Sequence, residues 1–124
     1  MNLLALALGG ALGAVSRYGI GQLLTTSGVA HLHVATFSVN VAGAFFMGFL
    51  FVVLERLEAP EALRMGLTVG FLGAFTTFSA FSLELFSDIQ EGHIMRAALY
   101  ATLSVLICLM SCMLGFSFAR SIVD

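Results

Sequence analysis

The sequence predicts an all-α membrane protein, a single domain of four transmembrane helices. Composition is the first reason, because 60% of the 124 residues are hydrophobic and only 10% are charged, against about 25% in a typical soluble domain. A soluble chain of this length must coat its surface with polar groups, and five basic plus seven acidic side chains are too few for that coat. The second reason is the presence of four apolar runs, each near the roughly 20 residues that a helix needs to cross a bilayer core.

The four predicted spans follow one another with only short turns between them. They run from about 3 to 24, 34 to 54, 63 to 86 and 94 to 119. The connecting segments TTSGVAHLH, ERLEAPEA and SDIQEGH are polar, so we expect turns and no separate soluble domain. The chain begins MNLLALALGGALGA without Lys or Arg ahead of the apolar run, which predicts a retained first span and not a cleaved secretory signal. Gly9 and Gly13 in this run have the spacing of closely packed helices.

The distribution of charge excludes several functions. The net charge is -2 and all five basic residues are arginines that form no basic patch, so we expect no nucleic-acid binding. The acidic residues are expected in turns or in the tail, with Glu84 near the end of the third span, which leaves no mid-membrane carboxylate for a proton-coupled exporter. No serine, cysteine or aspartate has a base within its span, so we expect no enzyme. His31, His33 and His93 are expected to be solvated in turns.

The arginines give the chain little preference for one orientation in the membrane. Arg56, Arg64 and Arg120 fall on the side of the termini. Arg96 falls on the other side, together with Arg17 if its side chain snorkels there. This weak bias permits insertion in both orientations, and hence an antiparallel homodimer, although a single orientation also fits. Four packed helices leave no lumen, so a transport path is expected at an interface between subunits.

Two polar side chains are predicted inside the first two spans, where burying them in the membrane costs free energy unless they have a partner or a function. Arg17 either snorkels to the headgroups or is a buried cation that attracts anions or anchors a vestibule. Asn40, in the segment ATFSVNVAG, either forms a hydrogen bond between helices or takes part in a site. The residues alone leave both alternatives open.

The third span contains the segment GFLGAFTTFSAFSLE, which predicts a helix broken near mid-membrane. Adjacent Thr76 and Thr77, with serines shortly after them, can bond the backbone and loosen the helical hydrogen bonds. Such a break is tolerated only inside protein or beside a cavity, where freed carbonyls can hold a cation and freed N–H groups can face an anion. The alternative is an unbroken helix whose hydroxyls bond internally.

Phenylalanines follow helical spacing around this segment. Phe71, Phe75 and Phe78 form a stripe, and Phe78 and Phe81 share a face. A stripe of this kind usually contacts lipid or packs against protein. The edge of an aromatic ring carries partial positive charge, however, so these rings can also approach an anion.

The fourth span carries a weakly polar strip. Tyr100, Ser104 and Cys108 recur at a spacing of four, and Cys112 continues the same face. Helix packing is the simple interpretation of the strip and of the two cysteines, whose spacing suits packing better than a cross-link or a metal site.

The segments GGALGAVSRY in the first span, ATFSVNVAG in the second and GFLGAFTTFSAFSLE in the third resemble the Fluc (CrcB) fluoride channels, and the resemblance covers essentially the whole chain. It implies a dual-topology, antiparallel homodimer in the plasma (inner) membrane of a prokaryote. Such a dimer exports cytoplasmic fluoride passively through two pores and so reduces its toxicity, with a structural Na⁺ ion at the dimer centre. The implied partners are fluoride, the lipid bilayer and a second copy of the chain.

The same resemblance implies roles for individual positions. The family's pore and anion-binding residues correspond to Asn40, Phe78, Phe81, Ser79, Tyr100 and Ser104. Its arginine near the pore mouth corresponds to Arg17. The backbone carbonyls that bind sodium correspond to those of Gly73 and Thr76.

Two positions depart from the family's pattern. The usual TTFSTF reads TTFSAF here, so Ala80 lacks a hydroxyl along the polar track, and Cys108 stands where a serine is expected. Both departures concern the polar track and leave Phe78, Phe81 and Asn40 in place.

A small multidrug-resistance-type exporter is the alternative function. Exporters of that type share the four short spans and the dual topology, but they depend on a glutamate inside the first span. The first span of this chain contains no acidic residue.

Overall fold

The computed structural model describes residues 2–27 and 32–123, and the regular structure of these residues is helical throughout. Four segments are long and apolar enough to cross a membrane, which confirms this part of the predicted fold class. In chain order the elements are α1 (Asn2–Thr26), α2 (Leu32–Arg56), α3 (Glu61–Arg64), a π-helical stretch (Met65–Leu72), α4 (Gly73–Phe75), α5 (Phe78–Gln90) and α6 (Ile94–Val123). The elements from α3 to α5 together form the third span.

The helices extend beyond the apolar runs that predicted them. The third span covers 61 to 90, where the sequence predicts 63 to 86, and α6 continues to Val123. The added turns place His33 in the first turn of α2 and Asp88 in the last turn of α5, so the expectation that both lie in connecting turns is wrong. A span predicted from hydropathy stops where charged residues begin. The helices continue past that point because His33 of α2 pairs with Asp88 of α5. His31 lies outside the described residues.

Glycines bring α1 into direct contact with the π-helical stretch. A Cβ on Gly9 would lie 2.0 Å from the carbonyl oxygen of Gly66, and a Cβ on Gly13 would lie 2.1 Å from that of Phe71. No other residue fits at either position without moving a backbone. The two helices therefore touch backbone to backbone, as the spacing of Gly9 and Gly13 predicts.

The same kind of contact joins α2 to α6. A Cβ on Gly48 would lie 2.1 Å from the carbonyl oxygen of Cys112, and a Cβ on Gly115 would lie 2.0 Å from that of Phe45. Each helix thus contributes a glycine at the point where the other presents a carbonyl. This reciprocal contact fixes the position of α6 against the second span.

The third span changes its helix type before it breaks. In the π-helical stretch the hydrogen bonds reach five residues back, and at its end the Gly73 N–H donates to the Thr68 carbonyl. After α4, Thr76 (φ −81°, ψ 159°) and Thr77 (φ −149°, ψ 120°) are extended. The Thr77 hydroxyl then caps α5 by accepting the Ala80 N–H. The break therefore lies at the two threonines that predict it.

Gly48→Ala is expected to lower the stability of the protein by about 1 to 3 kcal/mol, because the added Cβ must push α6 away from α2. Thermal unfolding of the purified protein in detergent measures this as a lower midpoint. Gly19→Ala is the matched control, since α1 has open space at that position. Equal midpoints for the two variants would contradict the close contact.

Candidate functional site

The helix break is bound to α2 through the side chain of Asn40. The Oδ1 atom of Asn40 accepts a hydrogen bond from the Thr77 N–H at 2.8 Å, and its Nδ2 donates to the Thr77 carbonyl oxygen at 3.0 Å. The side-chain amide thereby pairs with extended backbone much as a neighbouring β-strand would. The hydrogen bond between spans, one of the two alternatives for Asn40, is present. These two bonds leave one Nδ2 hydrogen for another acceptor.

Hydrogen bonds at the break also change the partners of two backbone carbonyls, those of Gly73 and Thr76. In a continuous helix the Thr77 N–H would donate to the Gly73 carbonyl and the Ala80 N–H to the Thr76 carbonyl. Here the first N–H donates to Asn40, and the second donates to the Thr77 hydroxyl at 3.2 Å. The carbonyls of Gly73 and Thr76 therefore lose their helical partners and are available to another ligand.

Arg17 binds the break from α1. Its Nε donates to the Ala74 carbonyl oxygen at 3.1 Å, at the end of the first helical half of the third span, where the helix dipole is negative. Arg17 is half-buried, and this contact gives it a protein partner at the break. The guanidinium also lines a cavity of about 480 Å³, together with Gln22, Thr36 and Glu84.

A groove of about 400 Å³ lies between α2, the break, α5 and α6. Its lining includes four of the predicted pore residues, which are Asn40, Phe78, Phe81 and Ser104. Thr76, from the predicted sodium site, lines the same groove. The structure thus brings together residues from three spans that the family resemblance assigns to one pathway.

Other predicted site residues lie outside the lining of this groove. Tyr100 stands behind it, with its ring 5.2 Å from the Phe81 ring between centroids. The Ser79 hydroxyl lies 3.3 Å from the Thr77 hydroxyl. Thr77 lines both the groove and the Arg17 cavity, so the break separates the two spaces.

The phenylalanines form two groups and not one stripe. Phe78 and Phe81 are in contact at 5.6 Å between ring centroids, and they differ in exposure, with 77% of Phe78 and 7% of Phe81 accessible. Phe71 and Phe75 stack on each other at 5.8 Å, before the break. The stripe predicted from Phe71 to Phe78 is interrupted because Thr76 and Thr77 are extended, which ends the helical spacing.

Ser104 presents a buried hydroxyl near that of Tyr100, and it makes no hydrogen bond of good geometry within the described part of the chain. Its side chain is 6% exposed, and its Oγ is the one buried side-chain oxygen or nitrogen found in this state among residues 2–27 and 32–123. Leaving such a group unpaired costs about 1 to 3 kcal/mol. Native structures rarely leave a hydroxyl so, and this one lines the groove.

Glu84 lies inside the third span as a buried carboxylate, 7% exposed, and α5 continues beyond it to Gln90. The sequence predicts Glu84 near the end of the span, and the structure places it six residues before Gln90, the last residue of α5. Its Oε1 accepts a hydrogen bond from the Thr36 hydroxyl and its Oε2 accepts one from the Tyr100 hydroxyl at 2.7 Å. Hydroxyls from α2 and α6 thus satisfy both carboxylate oxygens, which makes the burial tolerable.

A second buried carboxylate, that of Asp88, lies one turn further along α5. It is 2% exposed, accepts a hydrogen bond from Arg96 and contacts the His33 Nε2 at 3.0 Å. The His33 ring is edge-on to the Tyr100 ring, with centroids 4.7 Å apart. The expectation of a solvated His33 is therefore wrong, because Asp88 binds it and ties the ends of α2, α5 and α6 together.

Asp88, Glu91 and His93 place ligand atoms within 4.8 Å of one another. Arg96 already contacts both carboxylates, so their negative charge is paired within the chain. The described contacts make this cluster an ion-pair group.

Residues 4–116 match the sequence model of the protein family described as CrcB-like protein, Camphor Resistance (CrcB). The fluoride-specific ion channel FluC of Hahella chejuensis is 43% identical over 122 residues, which cover 98% of this chain and 96% of that protein. The protein of the same name from Coxiella burnetii (strain Dugway 5J108-111) is 41% identical over 124 residues, with 98% and 100% covered. That of Novosphingobium aromaticivorans is 45% identical over 118 residues, with 94% of each chain covered. This four-span chain, with its third span broken at two threonines, belongs to the CrcB family.

Proposed function

We propose that this chain is a passive fluoride channel in the plasma membrane of a prokaryote, which lets cytoplasmic fluoride leave the cell down its gradient and so reduces its toxicity. Its relatives are named as fluoride-specific ion channels and align with nearly the whole chain. They are channels and not enzymes. Four apolar spans make this chain a multi-pass membrane protein.

The observation that carries the proposal is the unpaired hydroxyl of Ser104 in a groove lined by aromatic rings. Fluoride is small and strongly hydrated, so a pore must replace its water by several weak donors, whereas one tight cation would trap it. The Ser104 O–H, the unused Nδ2 hydrogen of Asn40 and the ring edges of Phe78 and Phe81 are donors of this kind. The Arg17 cavity, beyond the break, adds positive charge that attracts anions.

Ser79 and Tyr100 take supporting roles in this proposal. The Ser79 hydroxyl, exposed beside that of Thr77, extends the polar surface at the break. Tyr100 donates its hydroxyl hydrogen to Glu84 and contacts the Phe81 ring, so it holds that ring in place.

A second copy of the chain completes the pathway. Phe78 lines the groove yet is 77% exposed, so one chain does not enclose the space. The weak arginine bias allows the second copy to insert upside down. We infer an antiparallel homodimer with two grooves, and hence two pores.

A sodium ion at the centre of such a dimer fits the chemistry of the break. Na⁺ is a hard cation that prefers oxygen ligands, and the carbonyls of Gly73 and Thr76 have lost their helical partners. Bound there, the ion would supply a fixed positive charge and join the two chains. Asn40 accepts the Thr77 N–H and the Thr77 hydroxyl accepts the Ala80 N–H, so neither N–H donates to these carbonyls.

Glu84 raises the alternative of proton-coupled transport, because it is a carboxylate inside a span. Both of its oxygens accept hydrogens from neighbouring hydroxyls, so it has a structural role as it stands. The small multidrug-resistance-type exporter requires a glutamate in the first span, and α1 has none. Passive transport therefore remains the better supported function.

The purified protein in liposomes is expected to release fluoride down its gradient without a pH gradient and to retain chloride. A fluoride electrode and a chloride electrode measure the two rates. Absence of fluoride release, or equal release of chloride, would overturn the proposal. A strict requirement for a pH gradient would favour a proton-coupled exporter.

Phe81→Ile is expected to slow fluoride release about tenfold, the equivalent of roughly 1.4 kcal/mol, because an aliphatic side chain has no positive ring edge for the anion. Size-exclusion chromatography checks that the oligomer is unchanged. Phe86→Ile is the matched control, since Phe86 lies on the same helix and is 56% exposed. Normal release by Phe81→Ile would remove the ring-edge contact from the proposal.

Asn40→Ala is expected to weaken sodium binding as well as fluoride release, because the Thr77 N–H can then return to the Gly73 carbonyl. Sodium binding is measured as the rise in the thermal unfolding midpoint when Na⁺ replaces K⁺. Ser38→Ala, on the same helix, is the control. If Asn40→Ala lost fluoride release but kept the full sodium-dependent rise, Asn40 would serve the pore alone.

A further inference from the structure

Three sulfur-bearing side chains line the groove, and none of them is among the donors proposed to contact fluoride. Cys108 and Cys112 belong to α6, and Met47 belongs to α2. Both cysteines are free thiols, and both are half-buried. Their spacing predicts helix packing, but both cysteines also border an open groove of about 400 Å³, so each thiol faces space that a ligand can enter.

The geometry of the two helices collects these sulfurs in one region. Residues four apart on a helix lie on the same face with Cβ atoms about 5 to 6 Å apart, which applies to Cys108 and Cys112. The neighbour of Met47, Gly48, is in backbone contact with Cys112, because a Cβ there would lie 2.1 Å from the Cys112 carbonyl oxygen. Met47 therefore follows α2 into a close contact with α6 at Cys112, and its side chain lines the same groove as the two thiols.

We propose that Cys108, Cys112 and Met47 form a binding site for a soft, thiophilic metal ion such as Hg²⁺ in the wall of the groove. Thiolate and thioether sulfurs are the ligands that soft metal ions select, whereas hard ions such as Na⁺ select oxygen. The site is thus chemically distinct from the carbonyls of the break, and a hard cation does not compete for it.

The binding step balances without a redox partner. Neutral HgCl₂ enters the groove, each thiol gives up its proton, and two Hg–S bonds form as the two Hg–Cl bonds break. Two protons and two chloride ions leave, and mercury stays divalent. The Met47 sulfur adds a lone pair and loses no proton. Because the thiolate is the form that binds metal, deprotonation accompanies binding.

The effect on transport rests on the proposed function, whereas metal binding does not. Cys108 lies one helical turn from Ser104, and both line the groove with Phe81. A metal ion held at Cys108 would therefore obstruct the path that fluoride is proposed to take and block its release.

Binding is tested on the full-length protein in detergent. After exposure to HgCl₂ and removal of the excess, elemental analysis gives mercury per chain and a thiol reagent counts the remaining free cysteines. We expect one mercury per chain and the loss of both thiols, and weaker retention for Met47→Leu. Two mercury ions per chain, or one bound mercury with a thiol still free, would overturn the shared site.

A variant with two thiols on different faces provides the matched control. Combining Cys112→Ser with Leu114→Cys keeps the number of cysteines but moves one to an exposed position of α6. This variant is expected to bind mercury at two independent sites. One mercury that protects both of its thiols would contradict the geometry proposed for the natural pair.

Fluoride release from liposomes supplies the second readout, with each rate compared to that of the same variant without mercury. HgCl₂ is expected to block release by the natural protein and to spare the variant that combines Cys108→Ser with Cys112→Ser. Equal block of both would overturn the proposed site. Failure to release fluoride before mercury is added would count against the proposed function alone, and the stoichiometry would then decide the metal site.

Discussion

Hydrocarbon offers no hydrogen-bond partner to unwound backbone, so the structure depends on how it satisfies the extended residues at the centre of the third span. Asn40 binds both the N–H and the carbonyl of Thr77, and Arg17 binds the carbonyl of Ala74. The first two spans thus hold the break from separate helices. The carbonyls of Gly73 and Thr76 lose their helical N–H donors in this arrangement, so one set of hydrogen bonds both holds the break and leaves these two oxygens without a helical partner.

Close helix packing is what brings these partners within reach. A Cβ on Gly43 would lie 2.2 Å from the Thr76 Cγ2, so α2 approaches the break only because glycine stands there, one turn from Asn40. On α1, Gly13 is in backbone contact with the third span one turn before Arg17. Each polar contact to the break is therefore paired with a glycine one turn earlier or later on the same helix.

Local patterns in the sequence predict much of this architecture. Hydropathy locates the four spans, and the adjacent Thr76 and Thr77 locate the break, because a hydroxyl next to the backbone competes with helical hydrogen bonds. The family resemblance selects Asn40, Phe78 and Ser104, which the fold places in one groove. The burial of Glu84 and Asp88 could not be predicted in this way, because their partners are distant in the sequence. Thr36 lies 48 residues from Glu84, and His33 lies 55 residues from Asp88. A buried carboxylate is recognised by its partners, and no local pattern reveals partners at that separation.

The π-helical stretch Met65–Leu72 affects how far the third span has rotated about its own axis when the chain reaches the break. A helix whose hydrogen bonds reach five residues back turns less with each residue than an α-helix does. The side on which Thr77 emerges is therefore set by helix type in the eight residues of this stretch as well as by the number of residues. If the stretch rewound as an α-helix while the contact between Gly9 and Gly66 held its start in place, the same sequence would turn the break away from Asn40. The direction in which the groove faces thus depends on Met65–Leu72, which precede it in the sequence and contribute no side chain to its lining.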